Sequence, residues 1–295
     1  MQYTKQDLID LLPHHSSIVC IDSDGCVFNS MDVKQKDFFH GLIIKHWGLE
    51  SIEPIVRETA EFVNLYSKWR GTNRFIALRK VFELLVERPE FKESGLEIED
   101  FSSMTAFIES GAPLGNPSLE EEVEKTGDAS IKKWLDWSKA VNTDINTNMH
   151  LIPPFDDVKK SLEMVQEYSD AIVVSQTPTE SIVKEWNENG ISQYVSIIAG
   201  QELGTKTEHI QMAAEGKYKG NDILMIGDAP GDLKAAQANN ALFFPINPGH
   251  EDASWENFHK EAYKKFVDHT FEGDYQKQLI SEFEALLPET PPWQI

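Results

Sequence analysis

Two aspartates one residue apart, Asp22 and Asp24, follow the apolar run Ile18–Ile21, and Gly25 comes directly after them. The run has the length and composition of a strand buried on both faces. In an open parallel sheet, ligands bind at the carboxyl ends of the strands. Carboxylates placed there can ligate a hard cation, attack an electrophile or transfer protons. Alone, Asp-x-Asp-Gly is more often an ordinary acidic turn, so its interpretation depends on the rest of the chain.

Three later apolar runs also end in polar or charged side chains, and each is followed by a helical pattern. Ser175 is the last residue of the run at 171–175, and Gln176 follows it. The run at 195–198 leads to Lys206, and the run at 223–226 is followed by Asp228 and Asp232. Separately, each has an ordinary explanation as a helix cap, a solvated lysine or a turn. A hydroxyl or a lysine at a helix N-terminus also suits an anion. The same edge of one sheet would bring all of them together, which indicates a shared site.

The alternation of strand and helix predicts a parallel α/β sheet with right-handed crossovers and helices on both faces. We expect five strands, at 18–22, 171–175, 195–198, 223–226 and 241–244. The helical patterns of this part of the chain lie at 4–12, 155–168, 178–189, 205–216, 231–239, 254–266 and 275–287.

Between the first strand and the second, helical periodicity replaces the alternation. The helices are predicted at 33–47, 54–69, 73–87, 97–109, 117–126 and 128–141. We therefore expect a discontinuous α/β domain, residues 1–30 and 151–295, with an all-helical domain, residues 31–150, inserted into it. An insertion of roughly 120 residues has the size of an ordinary domain.

The 295 residues carry a net charge of −22, which argues against general nucleic-acid binding because cations for a phosphate backbone are lacking. No apolar run is long enough to span a bilayer. Of the two cysteines, Cys20 lies in the buried run, which argues against a structural disulfide and favours a reducing compartment. We expect a cytoplasmic monomer or homodimer without nucleic-acid or membrane partners.

The four segments resemble, in order, the four motifs of the haloacid dehalogenase superfamily of phosphohydrolases: Asp-x-Asp-Gly at 22–25, the hydroxyl of Ser175, Lys206, and the acid pair Asp228 and Asp232. The resemblance covers residues 15–29 and about 152–247. It implies a Rossmann-like core, and the inserted block is placed like the helical cap of that family. This block is longer than the compact cap that is common there.

The resemblance implies a Mg²⁺-dependent reaction on a phosphate ester. Asp22 would ligate the metal and attack phosphorus, giving an aspartyl-phosphate. Asp24 would protonate the leaving alkoxide and then deprotonate water, and its backbone carbonyl would ligate the metal. Asp228 would be a further metal ligand, and Asp232 a ligand or an acid behind the ligands.

The phosphoryl oxygens would be bound by Ser175, Gln176 and Lys206. Family dehalogenases lack the acid found here at Asp24, because a halide leaves without a proton. We therefore expect a phosphatase that hydrolyses an ester or anhydride bond of a small phosphorylated metabolite. Two alternatives remain open: a phosphomutase, which returns the phosphoryl group to the substrate, and a non-catalytic phosphate-binding or regulatory protein.

Substrate specificity is expected from the inserted domain. The segment Ser67–Phe75 is cationic in an acidic chain, and its Arg70, Asn73 and Arg74 are candidate contacts for a second anionic group on the substrate. The alternative is a turn at Gly71 with Thr72 as a helix cap and the bases in solvent.

Overall fold

The computed structural model describes residues 3–294 and contains a five-stranded parallel sheet. Its strands, in the spatial order β3-β2-β1-β4-β5, are β1 (Ile18–Ile21), β2 (Asp170–Val174), β3 (Ile197–Ala199), β4 (Ile223–Gly227) and β5 (Leu242–Pro245). The predicted α/β class is confirmed, and each predicted strand is present. β3 begins two residues later than predicted, because a short 3₁₀ turn, Ser192–Tyr194, precedes it.

Buried side chains cover both faces of the sheet, which explains why its strands are continuous apolar runs. Along β1, Val19 and Ile21 belong to one core cluster, while Ile18 and Cys20 belong to the other. All four are fully buried. Complete burial of a side chain of this kind stabilises the fold by about 1.5–3 kcal/mol.

The chain forms two compact units. Of the described residues, the sheet unit contains 3–31 and Leu151–Pro288, and the helical unit contains Asp32–His150 and 289–294. None of the helices within residues 3–294 combines the length and the apolar composition needed to cross a bilayer.

The α-helices of the sheet unit lie close to their predicted positions: Lys5–Ile9, Val158–Tyr168, Thr179–Glu188, Lys206–Ala214, Pro230–Ala238, Glu251–Asn257, Tyr263–Val267 and Asp274–Ala285. The predicted helix at 254–266 contains a π-helical turn, Phe258–Ala262. Thr4 caps the first helix as expected, through a reciprocal pair of hydrogen bonds with Asp7.

A short α-helix, Ser30–Val33, and a π-helical turn, Lys34–Phe39, lead into the other helices of the inserted block. These are His40–Trp47, Glu53–Leu65, Arg74–Leu85, Pro89–Ser94, Ser102–Glu109, Asn116–Thr126 and Ala129–Asn148. Pro89–Ser94 was not predicted. The last helix runs beyond the predicted end at 141, because Ile145 continues its apolar stripe within an otherwise polar stretch.

Several aromatic side chains pack against one another in the core of the helical unit. The ring of Trp47 lies 5.0 Å from that of Phe82 and 6.0 Å from that of Trp134, both in edge-to-face geometry. Pairs of this kind contribute about 0.5–1.5 kcal/mol beyond the burial of their surface. The cluster gives the inserted block a core of its own.

The last residues pack with the helical unit, whereas the predicted boundary assigned them to the α/β domain. The ring of Trp293 lies 5.4 Å from that of Phe62, and the guanidinium of Arg88 lies 4.4 Å from the centre of the Trp293 ring. A single tryptophan in a proline-rich tail has no periodicity, so the sequence could not indicate which core it joins.

His40 should make the helical unit sensitive to acid. It is fully buried, and burial together with Arg57 and Lys36 lowers its pKa from 6.5 to about 3. Between those values the unfolded chain binds a proton that the folded chain does not, so stability falls as pH falls below 6.5, by up to about 1.4 kcal/mol per pH unit. In His40→Leu, the difference in unfolding free energy between pH 7 and about pH 4.5, from urea titrations, should shrink by about 2–3 kcal/mol. An unchanged difference would contradict this assignment.

Candidate active site

The strand order places Asp22 next to the strand end that leads to Asp228. β1 lies between β2 and β4, and Ile21 pairs with Ile226. The N–H of Asp22 donates to the carbonyl of Ile226 over 2.9 Å, so Asp22 leaves β1 level with the end of β4, where Asp228 follows. The strand order reverses between β1 and β4, which is where ligands bind in open parallel sheets.

Three carboxylates meet at this edge. One oxygen from each of Asp22, Asp228 and Asp232 lies within 4.8 Å of the other two. Asp22 is 4% exposed, and the other two are fully buried. Carboxylates are removed from water only where cations or donors offset their charge, so this cluster needs compensation.

The Asp232 carboxylate also closes the turn that carries Asp228. Its Oδ2 accepts the N–H groups of Asp228 at 3.1 Å and Ala229 at 3.0 Å, which caps the helix Pro230–Ala238. A Cβ added at Gly227 would lie 2.3 Å from Cγ of Asp232. A residue other than glycine at position 227 would therefore displace the acid or the strand end.

Lys206 supplies positive charge to the cluster. Its Nζ lies 2.8 Å from Oδ2 of Asp22 and 2.6 Å from Oδ1 of Asp232. Thr205 and Glu208 form a capping box that starts its helix and fixes where the lysine leaves the backbone. Burial acts to lower the pKa of Lys206, but the two carboxylates outweigh it and raise that pKa above the usual range. The ammonium is therefore charged at neutral pH.

The donor set fits a divalent hard cation. Burial, with the nearby Asp232 and Asp228, raises the pKa of Asp22 well above its usual value, although Lys206 opposes this. When ionised, the three carboxylates exceed the charge of Lys206 by two. Mg²⁺ prefers carboxylate and carbonyl oxygens, and a cation there would favour the ionised form of Asp22. Asp232 already accepts hydrogen bonds from Lys206 and from two backbone N–H groups. These bonds favour a supporting role for Asp232 behind the residues that ligate the metal.

Asp24 lies beside the cluster and is partly exposed. Its Oδ2 accepts the hydroxyl of Thr177 over 2.5 Å, and its Oδ1 accepts the hydroxyl of Ser30. Gly25 turns the chain after it with a φ of 79°, a value that suits glycine. Metal ligation by the backbone carbonyl of Asp24 stays a prediction.

The end of β2 brings the predicted phosphate-binding residues close to the loop before Lys206. Ser175 is buried, and its Oγ accepts the N–H of Thr177 over 3.2 Å. The side-chain nitrogen of Gln176 donates to the carbonyls of Gly204 at 3.0 Å and Ser175 at 3.2 Å, which joins the two loops. Gln176 thus has a structural role, and its contact with substrate stays a prediction.

Sequence reasoning missed Thr177, Ser30 and Ser23. The hydroxyl of Ser23 accepts the indole N–H of Trp186 over 3.0 Å, and its own N–H donates to Oδ1 of Asp22 over 2.7 Å. Thr177 had a usable signal: a second hydroxyl two residues after Ser175 in the same loop.

The cationic segment of the helical unit is largely engaged in its own packing. Arg70 is 2% exposed and donates to the carbonyl of Leu65 over 2.9 Å. Asn73 caps the following helix through the N–H of Phe75, so the cap lies one residue beyond Thr72, and its amide also donates to the carbonyl of Leu114.

Arg74 donates to Oδ1 of Asn142 over 2.7 Å and to Ser138, and its guanidinium lies 5.0 Å from the centre of the Phe39 ring. Burial lowers the pKa of Arg74 to about 10. The turn at Gly71 and the helix start of the alternative are present, but Asn73 and not Thr72 is the cap, and Arg70 and Arg74 pack within the unit and not in solvent. Substrate contact by this segment stays a prediction.

A family model described as haloacid dehalogenase-like hydrolase matches residues 102–245 of this sequence. That range includes Ser175, Lys206, Asp228 and Asp232, and the geometry above adds Asp22. The matched part of this chain is similar to the haloacid dehalogenase-like hydrolases. The resemblance drawn from the four motifs is thereby confirmed.

Solved structures support the haloacid dehalogenase-like fold. A proposed beta-phosphoglucomutase from Bacteroides vulgatus is 17% identical over 88% of this chain and 91% of that chain, with a TM-score of 0.50. A proposed phosphoglycolate phosphatase from Lactobacillus delbrueckii subsp. bulgaricus is 12% identical over 88% of this chain and 100% of that chain, with a TM-score of 0.50. At these identities the likeness shows the fold alone. No curated protein matches the sequence.

Proposed function

We propose that this hydrolase is a Mg²⁺-dependent phosphatase acting on a small phosphorylated metabolite. One observation carries the proposal: Asp22, Asp228 and Asp232 meet at one sheet edge, Lys206 pairs with Asp22 and Asp232, and a separate acid, Asp24, follows Asp22 by two residues. This set contains a nucleophile, a cation site and a proton donor at one sheet edge. The identities of the residues match what transfer of a phosphoryl group to a carboxylate requires.

Phosphate binding would use donors at two strand ends. The hydroxyl of Ser175 and the ammonium of Lys206 would hold the phosphoryl oxygens and orient phosphorus toward Asp22. Two unit negative charges about 4 Å apart repel by about 4 kcal/mol at an effective dielectric near 20, so the attacking carboxylate needs such cations. Mg²⁺ held by Asp22 and Asp228 would neutralise charge on both the nucleophile and the phosphoryl group.

Two proton transfers complete the reaction. Attack by an Asp22 oxygen on phosphorus breaks the ester P–O bond, and the leaving oxygen takes a proton from the Asp24 carboxyl. The Asp24 carboxylate then takes a proton from water as that water attacks phosphorus. The second attack breaks the bond between phosphorus and Asp22, releases inorganic phosphate and restores both acids.

The presence of Asp24 supports ester hydrolysis over dehalogenation. An alkoxide leaves as a poor anion and gains from a proton, whereas a halide does not. Hydrolysis and mutase activity differ in product, so release of inorganic phosphate in proportion to the substrate consumed would exclude a mutase.

The two free cysteines are both buried, which is consistent with the predicted reducing, cytoplasmic compartment.

Removal of divalent cations is expected to lower phosphate release by at least about 100-fold, because the buried acids then repel the phosphate. The measurement is phosphate release from a panel of phosphorylated metabolites, in excess Mg²⁺ and in excess EDTA. EDTA saturated with Mg²⁺ is the control for direct effects of the chelator. Equal rates in Mg²⁺ and in EDTA would contradict the proposed metal dependence.

A further inference from the structure

Thr177 connects two parts of the proposed chemistry through two different atoms. Its hydroxyl lies 2.5 Å from Oδ2 of Asp24, and its backbone N–H donates to Oγ of Ser175 over 3.2 Å. A carboxylate has no proton to give, so the hydroxyl donates to Asp24 in the ionised state. Because Ser175 accepts the N–H of Thr177, it keeps its own O–H proton to donate to a phosphoryl oxygen.

The position of Thr177 is fixed from several sides. Its carbonyl accepts the N–H of Gln201 over 3.1 Å. A Cβ added at Gly200 would lie 2.6 Å from the same carbonyl, so the two loops are in close contact. Pro178 disfavours helical backbone at the preceding residue, and a β-branched side chain has few rotamers. The hydroxyl is therefore held in place before a substrate arrives.

We propose that Thr177 is a positioning residue that holds the Asp24 carboxyl in the orientation needed to protonate the leaving group. Ser30 donates to the other oxygen, so the plane of the carboxyl is fixed by two hydroxyls. Each carboxylate oxygen has a second lone pair that can still carry the transferred proton. This inference rests on the proposed phosphatase function.

Such a role has a signature that a general structural role lacks. A leaving group that departs as a stable anion gains little from Asp24, whereas a basic leaving group depends on it. Misplacement of the acid should therefore lower kcat/KM only for the basic leaving group. This parameter reports the steps through departure of the leaving group and is independent of the later hydrolysis step.

The test compares phenyl phosphate with 2,4-dinitrophenyl phosphate in Thr177→Val, which keeps the shape and removes the hydroxyl. We expect kcat/KM to fall about 10- to 100-fold for phenyl phosphate and less than about 3-fold for 2,4-dinitrophenyl phosphate. Thr177→Ser should restore both values to within about 3-fold of the native protein.

Thr179→Val is the matched control. Thr179 is the first residue of the helix that follows this loop, and its hydroxyl also donates to a carboxylate, Oε2 of Glu202 at 2.8 Å, which is not one of the cluster acids. Its loss should not change the ratio between the two substrates. Equal losses on both substrates in Thr177→Val, or the same selectivity in Thr179→Val, would overturn the inference. A native protein that hydrolyses no phosphate at all would instead overturn the proposed function, and the inference with it.

Discussion

Replacing Asp22 with asparagine is expected to lower kcat for phosphate release by more than about 10³-fold, while the protein stays folded. Asparagine has nearly the same shape, but its amide is a poor nucleophile. The substitution also removes one negative charge from the cluster that Lys206 faces across 2.8 Å. The measurement is steady-state phosphate release in excess Mg²⁺, with thermal unfolding recorded on the same samples.

Asp170→Asn is a matched control, because Asp170 is also a buried aspartate on a neighbouring strand. It lies at the start of β2, away from the acid cluster, and its Oδ2 accepts the N–H groups of His14 and His15 and the hydroxyl of Tyr218. We expect this variant to lose stability by about 1–3 kcal/mol and to keep near-native kcat. Comparable kcat values in the two variants would contradict the role of Asp22 as nucleophile.

Gly227→Ala should damage both stability and activity. The new Cβ would lie 2.3 Å from Cγ of Asp232, closer than atoms can approach, so the strand end or the acid must move. Asp232 then loses its position on Lys206 or its two N–H donors. We expect a loss of about 2–4 kcal/mol in unfolding free energy, from urea titration, and a fall of at least about 100-fold in kcat/KM.

Gly231→Ala separates this effect from a general intolerance of alanine near the turn. Gly231 lies in the helix Pro230–Ala238, and a Cβ added there meets no atom within 4 Å. Alanine in a helix is more stable than glycine by about 0.5–1 kcal/mol, so this variant should be as stable as the native protein or more so. A Gly227→Ala protein with native stability and activity would refute the close packing of Gly227 on Asp232.

The placement of the motif residues was predictable because each of the four motifs follows a buried strand, and parallel strands bring their carboxyl ends to one edge. The strands themselves were recognisable because their apolar runs are continuous. The sequence could not show which other residues donate hydrogen bonds to the motif acids and orient them. Thr177 reaches Asp24 from 153 positions away in the sequence, and that distance is closed only when β1 and β2 pair.

The cationic segment Ser67–Phe75 is a case in which a clear feature of the sequence did not indicate the environment of its side chains. Its positive charges are unusual in an acidic chain. In the structure, however, Arg70 is buried and donates to a backbone carbonyl, and Arg74 donates to a side chain of a neighbouring helix. Charge alone does not indicate whether a guanidinium faces solvent or satisfies carbonyls at helix ends. The contacts of the tail from Glu289 were also not predictable from the sequence. Trp293 packs against Phe62 and Arg88, but the tail has no hydrophobic periodicity that would indicate these contacts.

The most direct test of the account is chemical capture of the phosphorylated nucleophile. Asp24→Asn should still be phosphorylated by 2,4-dinitrophenyl phosphate, whose leaving group needs no proton, but should hydrolyse the acyl phosphate slowly. We expect a burst of about one equivalent of dinitrophenolate per protein. Borohydride reduction of the quenched protein should then convert Asp22 to homoserine, identified by peptide mass mapping. A burst with homoserine at another position, or turnover by the native protein with Asp22 never modified, would contradict the central claim.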